Sequence, residues 1–324
     1  MSKKICIALC AVFGVGAIVF AALAGFNLKK PSEPEDPAKS EWVVSDNLTT
    51  AALSDGIEAL RPSNMKNASY PADILESMKP LYSANKNTAA RLTIPGTEID
   101  TPVVQGSDND RYLTYDFYER RTTETSSQNY GNIYLDYRCS KSKTLSKNMI
   151  IHGHTTGKSD GIPKQSFRSL YDYQKKENFI KNPLIKLTTL YGEYTYKICA
   201  VFYSTTLPSY DNGYFFNYIY PDMSDSNMAG YIEQVNQRKL YDTGVSLEST
   251  DKIITLSTCI YVYGKSVDTR LVVVGRLLHE GEDESIDPSL VKDNPDYRRP
   301  QVWYNSQGKT NPYKDSPRWE PSPD

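Results

Sequence analysis

Short apolar runs rich in β-branched and aromatic residues recur along the chain between residues 91 and 277, and Gly, Pro, Asn and Asp separate them. Runs of this length and composition predict β-strands rather than helices. Eight strands are expected, at 91–94, 102–104, 132–135, 149–152, 184–189, 194–203, 252–258 and 270–277. Many short strands broken by turn residues indicate a mainly β fold, either a barrel or a sandwich.

Helical periodicity is rarer in this sequence. It predicts helices at 46–60 and 72–78 before the first strand, at 167–171 after the fourth strand, and at 228–241. The last of these lies inside a long connection, 204–250, that precedes the seventh strand.

The N-terminus carries an uncharged apolar stretch from residue 5 to about residue 28, which is long enough to span a bilayer as a helix. Its length favours an uncleaved membrane anchor, although the small residues Ala22-Leu23-Ala24 also fit the cleavage site of a signal peptide. Lys3 and Lys4 precede the stretch and favour an N-inside orientation. We therefore expect a single-pass protein of the cell membrane whose remaining residues lie on the extracellular side.

Composition divides the rest of the chain into three parts. Residues 29–45 are rich in proline and charge and predict a spacer. Residues 46–279 are long enough for one domain with a sizeable core. Residues 280–324 are polar and proline-rich and are expected to be disordered. The alternative is that the segment packs against the domain through Trp303 and Trp319.

Five cysteines in an exported chain require an account. Cys6 and Cys10 lie in the apolar N-terminal stretch. Cys139 and Cys199 either pair with each other or stay free and buried, and Cys259 is the thiol with a chemical reason to stay free. A formal net charge of −2 gives no indication of nucleic-acid binding, and with neither a Gly-rich phosphate loop nor a Cys-x-x-Cys pair in the sequence we expect no cofactor and no metal.

Candidate chemistry is concentrated where the apolar run 253–259 ends on Cys259, shortly before Arg270 begins the next run. A thiol and a guanidinium facing each other across a groove suit nucleophilic attack on a carbonyl, with the positive charge stabilising the oxyanion. The chain has three histidines as candidate bases, His152, His154 and His279. A nearby imidazolium or arginine would lower the pKa of the cysteine. Each of these groups alone is commonly structural, whereas their combination favours a catalytic site.

The sequence Thr255-Leu256-Ser257-Thr258-Cys259 resembles the active-site signature of sortases, with the arginine downstream and a Gly-His pair upstream in the expected order. Segments 92–105, 108–113 and 131–138 resemble the opening strands of class B sortases. The resemblance covers about residues 70–278. It implies a closed eight-stranded β-barrel with N-terminal helices and a helix in the loop before the nucleophile strand.

The resemblance also implies an activity, that of a cysteine transpeptidase. Such an enzyme cleaves a C-terminal sorting motif of a secreted protein through a thioacyl intermediate and transfers the acyl group to an amine of a cell-wall precursor or a pilin lysine. The resemblance assigns Cys259 as the nucleophile, His154 of the Gly153-His154 pair as the acid and base, and Arg270 as the group that stabilises the oxyanion. His152 has a supporting role at most. Substrate contacts are expected at Ser257, which shares a strand face with the cysteine, and at Tyr218, Ile219, Asn109 and Leu113.

Two other activities use the same residues. A hydrolytic extracellular cysteine protease would share the three catalytic groups and release its product to water. A metal enzyme would use His152 and His154 as a His-x-His pair and would need a third ligand, for which His279 is the remaining histidine. A non-catalytic binding module would have no need of the thiol, the imidazole and the guanidinium together.

Overall fold

The computed structural model describes residues 69–121, 131–155 and 166–322. Eight of its strands form one barrel: β1 (Thr88–Thr93), β2 (Asp100–Val104), β3 (Tyr134–Leu135), β4 (Asn148–His152), β5 (Leu184–Thr189), β6 (Glu193–Thr205), β8 (Ile253–Ile260) and β9 (Thr269–Leu277). They close in the order β1-β2-β3-β4-β8-β9-β6-β5, which confirms the expected closed barrel. Two further short strands, β7 (Tyr241–Asp242) and β10 (Lys292–Asp293), pair only with each other.

The strands that carry the candidate chemistry lie side by side in the barrel. β8 pairs in parallel with β4 and antiparallel with β9. Almost every residue of β8 and β9 is buried, because one face lines the barrel interior and the other is covered by protein. Strands buried on both faces have continuous apolar sequences, as in 271–274. One hydrophobic cluster joins these strands to Met228, Tyr231 and Val235.

Within the described ranges, four α-helices lie around the barrel: α1 (Lys79–Ala84), α2 (Lys176–Lys181), α3 (Asp225–Arg238) and α4 (Gln301–Ser306). Single turns of 3-10 helix occur at Glu76–Met78, Arg111–Leu113, Pro208–Tyr210 and Pro288–Leu290, and a longer one at Arg168–Gln174. The helix expected at 228–241 is α3, which begins earlier because the Ser224 hydroxyl caps it by accepting from the Asn227 N–H. The helix expected at 72–78 is wrong in its bounds, since a 3-10 turn leads into α1 with Pro80 in its first turn.

Residues 280–322 are not disordered, which corrects the prediction made from their composition. They form β10 and α4. Three apolar residues that lie far apart in this segment are buried, namely Val291, Tyr304 and Trp319. Trp319 is 9% exposed and packs edge-on against the rings of Phe216 and Tyr231. Isolated apolar anchors in a polar segment leave no periodic pattern, which explains why the sequence did not indicate a packed segment.

The predicted membrane anchor 1–28, the spacer 29–45 and the helix 46–60 lie outside the described residues and remain predictions. Among the residues that the structure describes, no helix has both the length and the apolar character needed to cross a bilayer.

Replacing Trp319 with alanine is expected to lower the free energy of unfolding by about 3 kcal/mol, because a large aromatic side chain leaves a packed site. Urea denaturation of the full chain would measure the loss. Trp303→Ala is the matched control, since Trp303 is only half-buried beside Arg299, and it should cost less than about 1 kcal/mol. Equal losses in the two variants would contradict a specific anchoring role for Trp319.

Candidate active site

Cys259 and Arg270 lie opposite each other on neighbouring strands. In the antiparallel pairing of β8 and β9, Cys259 is the direct partner of Arg270. Directly opposed residues place their side chains on the same face of the sheet, within contact distance. Cys259 is half-buried and forms no disulfide. The sheet register thus brings together the thiol and the guanidinium that the sequence singled out.

The Gly-His pair follows directly from β4, the other neighbour of β8. His152 is the register partner of Ser257, and the Gly153 N–H then donates to the Ser257 carbonyl at 3.2 Å. The Thr258 hydroxyl in turn donates to the Gly153 carbonyl at 2.7 Å. A Cβ on Gly153 would lie 2.7 Å from the Phe167 ring, so glycine allows this close approach. These contacts hold His154 beside the end of the cysteine strand.

A backbone carbonyl assigns the tautomer of His154. The imidazole Nε2 lies 3.0 Å from the Leu113 carbonyl oxygen. Because a carbonyl can only accept, Nε2 carries a proton and donates it. Nδ1 is then the ring nitrogen whose protonation state can change during a reaction.

Burial and charge shift the ionisation of both partners of the thiol. Burial lowers the pKa of His154, the Leu113 carbonyl partly offsets this, and the positive charge of Arg270 lowers the pKa further. Burial alone would lower the pKa of Arg270, but attraction to Cys259 and Tyr218 contributes to raising it above its usual range. The thiol, the imidazole and the guanidinium therefore share one electrostatic environment.

Three residues of this region were not predicted from the sequence. The hydroxyls of Thr155 and Tyr171 each donate to the Cys259 carbonyl at 2.8 Å and hold the end of β8. The Asp268 carboxylate accepts from the Arg270 guanidinium. Thr155 follows His154 directly and Asp268 precedes Arg270 by two residues, so the sequence could have predicted that both lie near the site. Tyr171 is not close in sequence to any of the predicted catalytic residues.

Ser257 and Tyr218 are buried rather than exposed at the surface. Their hydroxyl oxygens are 2.9 Å apart, and the two residues are only 3% and 4% exposed. Burial raises the pKa of Tyr218. Ile219 is partly buried against the core, and its backbone carbonyl accepts from Arg138 at 2.9 Å.

Leu113 and Asn109 occupy different positions near the histidine segment. The Leu113 side chain is 38% exposed, next to the carbonyl that accepts from His154. The Asn109 amide is already hydrogen-bonded within the protein, since it donates to Asp136 at 2.9 Å and accepts from the Tyr137 N–H at 3.1 Å. Leu113 therefore offers an apolar surface, while Asn109 is part of the support beneath the site.

A buried carboxylate organises that support. Asp136 is fully buried, and burial alone would raise the pKa of its carboxyl. Hydrogen bonds, the strongest from Arg138 and His152, outweigh burial and hold the pKa well below its usual range. The His152 Nε2 lies 3.2 Å from Asp136, and its ring packs on Tyr134 with 5.2 Å between centroids. His152 is thus held in a structural network.

The three histidines have separate partners, which argues against the metal alternative. His154 contacts the Leu113 carbonyl, His152 contacts Asp136, and the Nε2 of His279 lies 2.6 Å from Asp251. Within 69–121, 131–155 and 166–322, no group of three His, Cys, Asp or Glu side chains is arranged to hold a metal ion. The alternative pairing of Cys139 with Cys199 is wrong, because both are free and buried.

Removing the charge at position 270 should raise the pKa of His154. Arg270 disfavours the imidazolium, so Arg270→Gln is expected to shift the His154 titration to higher pH, while burial keeps it below the ordinary value. NMR titration of the three imidazole signals would follow the change. Arg91→Gln on β1 is the control and should leave the signal of His154 unmoved; a downward or absent shift in Arg270→Gln would contradict the shared environment.

A comparison with known proteins agrees with this fold and arrangement. The model of the sortase domain family matches residues 92–278, which is more than half of the chain. The chain belongs to the sortase family and is a cysteine transpeptidase of that family. Its relatives are class B enzymes: it is 28% identical to Sortase B of Listeria monocytogenes over 245 residues, covering 74% of this chain and 91% of the relative. It is also 28% identical to Sortase B of Staphylococcus aureus over 199 residues, covering 61% of this chain and 73% of the relative.

Solved structures lead to the same family. A Staphylococcus aureus sortase B–substrate complex superposes with a TM-score of 0.54 at 25% identity, covering 70% of this chain and 94% of that chain. A Bacillus anthracis protein similar to sortase B gives the same TM-score at 28% identity, with 70% and 93% covered. These similarities support the closed barrel and the class B relationship.

Proposed function

We propose that this enzyme cleaves a C-terminal sorting motif of secreted proteins through a thioacyl intermediate on Cys259 and transfers the acyl group to an amine. The amine belongs to a cell-wall precursor or to a pilin lysine. The observation that carries the proposal is the register of β8 and β9, which sets Cys259 opposite Arg270, with Gly153-His154 held along the same strand end.

The chemistry follows from these three groups. The Cys259 thiolate attacks the carbonyl carbon of the scissile peptide, and the Arg270 guanidinium stabilises the resulting oxyanion. As the C–N bond breaks, the His154 imidazolium gives a proton to the departing amine. A second amine then attacks the thioester, loses a proton to His154, and leaves as an amide while the thiolate is restored. The thiolate and the imidazolium act as a pair, one as the nucleophile and the other as the proton donor.

The walls of the site supply the proposed substrate contacts. Leu113 presents an exposed apolar side chain next to His154. Ser257 and Tyr218 are hydrogen-bonded to each other in the interior, and Ile219 follows Tyr218 in the same loop. The Asn109 amide is hydrogen-bonded to Asp136, which in turn contacts His152, so Asn109 acts by positioning these residues rather than by contacting substrate.

Location follows from the family and from the N-terminal sequence. Sortases are cell-surface enzymes. We place the catalytic domain on the outer face of the cell membrane, attached through residues 1–28, where its secreted substrates and its amine acceptors are both present.

A peptide library tests the reaction. The full chain would be incubated with fluorogenic sorting-type peptides, alone, with triglycine as a wall-type amine, and with Nα-acetyl-lysine as a pilin-type amine. The proposal expects cleavage accompanied by an amide-linked product with one of the two amines, and the preferred amine identifies the acceptor. Cleavage whose products ignore both amines would favour the hydrolytic protease instead.

A further inference from the structure

A second site lies apart from the cysteine, in a small, partly open cavity between the end of β6, the connection that follows it, α3 and residues 298–300. Three arginines line the cavity, Arg238, Arg298 and Arg299, with Asp211 as the one lining carboxylate. The family match ends at residue 278, so the segment after it builds one wall of this cavity.

Arg238 is buried without an ionic partner. Its side chain donates to the backbone carbonyl and the side-chain oxygen of Gln234, both at 2.9 Å, and its guanidinium lies 4.7 Å from the centre of the Phe216 ring. Within the part of the chain that the structure describes, no carboxylate forms an ion pair with it, and it is 5% exposed. Burial, with repulsion from Arg298, lowers the pKa of Arg238 to about 9. A buried, unpaired guanidinium is costly unless an anion accompanies it.

Arg298 is also incompletely satisfied. It is 6% exposed, and its two terminal nitrogens reach Asp211 at 3.3 Å and the side chain of Gln237 at 3.1 Å. Its Nε is buried and has no hydrogen-bond partner. The Asp211 carboxylate is shared, because its other oxygen accepts from the Gln301 N–H at 3.0 Å.

The charges of the cavity therefore do not balance. Arg299 donates to the backbone carbonyls of Tyr297 and Pro295, which carry no full charge. One carboxylate faces three guanidinium groups, which leaves two uncompensated positive charges around the cavity.

We propose that this cavity binds a small oxyanion, a phosphate or a carboxylate, between Arg238 and Arg298. Planar guanidinium groups present paired N–H donors that match the oxygens of both anions, and the Nε of Arg298 supplies a donor that nothing in the protein uses. In the sheet, Ser204 beside the cavity is the register partner of Arg270, so the anion lies one strand from the catalytic arginine.

Anion titration of the full chain tests the site. Sodium phosphate and sodium succinate would be titrated at constant ionic strength against sodium chloride, with binding measured by calorimetry and thermal unfolding. At ten times the dissociation constant, the specific anion should raise the unfolding midpoint by about 3–6 °C. Phosphate binding identifies a phosphate ligand, and succinate binding identifies a carboxylate ligand.

Variants locate the binding. Arg298→Gln removes a charge and the unused donor, and Arg238→Lys keeps the charge but removes the planar fork; each should bind the anion about tenfold more weakly or worse. Arg318→Gln is the matched control, because Arg318 approaches the Tyr214 ring at 5.7 Å and donates to the Asn212 carbonyl without lining the cavity. Wild-type binding no stronger than that of chloride, or undiminished binding in both arginine variants, would overturn the proposal.

Discussion

Cys259→Ala should abolish both cleavage and transfer, with kcat/KM reduced by about 10³-fold or more, the scale seen when a catalytic nucleophile is removed. The physical reason is that no other described thiol shares its surroundings. Cys259 is half-buried opposite Arg270, whereas Cys139 and Cys199 are buried among apolar groups. Chromatography of the peptide products, wild type beside the variant, would measure the loss.

Cys199→Ala is the matched control for the thiol. Burial raises the pKa of Cys199 to about 12, so this sulfur has no thiolate available at neutral pH. The control should lose stability but keep its turnover. Cleavage by Cys259→Ala at the wild-type rate would refute the thiol mechanism.

Arg270→Lys should lower kcat by about 10²-fold while changing KM little, because the lysine keeps a positive charge but loses the planar fork that meets the oxyanion. Steady-state kinetics with the preferred peptide and a saturating amine would separate the two constants. The raised pKa of Arg270 means that the wild-type guanidinium keeps its charge throughout the accessible pH range.

The variant Asp268→Asn tests how much of the effect of Arg270 on kcat depends on the orientation of its guanidinium rather than on its charge. The Asp268 carboxylate is about half exposed and accepts from Arg270, so its replacement should reduce kcat only about tenfold or less. A larger defect in Asp268→Asn than in Arg270→Lys, or wild-type kcat in Arg270→Lys, would contradict the role given to the guanidinium.

The barrel was predictable because its strands are marked locally. Runs such as 271–274 are buried on both faces and therefore apolar at every position, and all eight strands were found within a few residues of their bounds. The expected start of β1 at residue 91 is later than the observed start at Thr88, because Ala89 and Ala90 have low strand propensity. The segment 280–322 was missed because single anchors such as Trp319 bury only against partners distant in sequence.

The same distinction applies to the site. Cys259, Arg270 and Gly153-His154 end or begin strands and could be recognised by position and residue type. Tyr171 reaches the Cys259 carbonyl across 88 positions of sequence, a contact that only the fold creates. Likewise, Asn109 was expected to contact substrate, and its use in holding Asp136 depends on a tertiary contact.

The most direct test of the central claim is the mass of the enzyme during turnover. The full chain would be mixed with the preferred peptide, quenched in acid, and analysed intact and after peptide mapping. The account predicts an acyl adduct on Cys259 that accumulates without amine and disappears on adding amine, as an amide product forms in equal amount. An adduct on another residue, or one whose lifetime is unaffected by the amine, would contradict it.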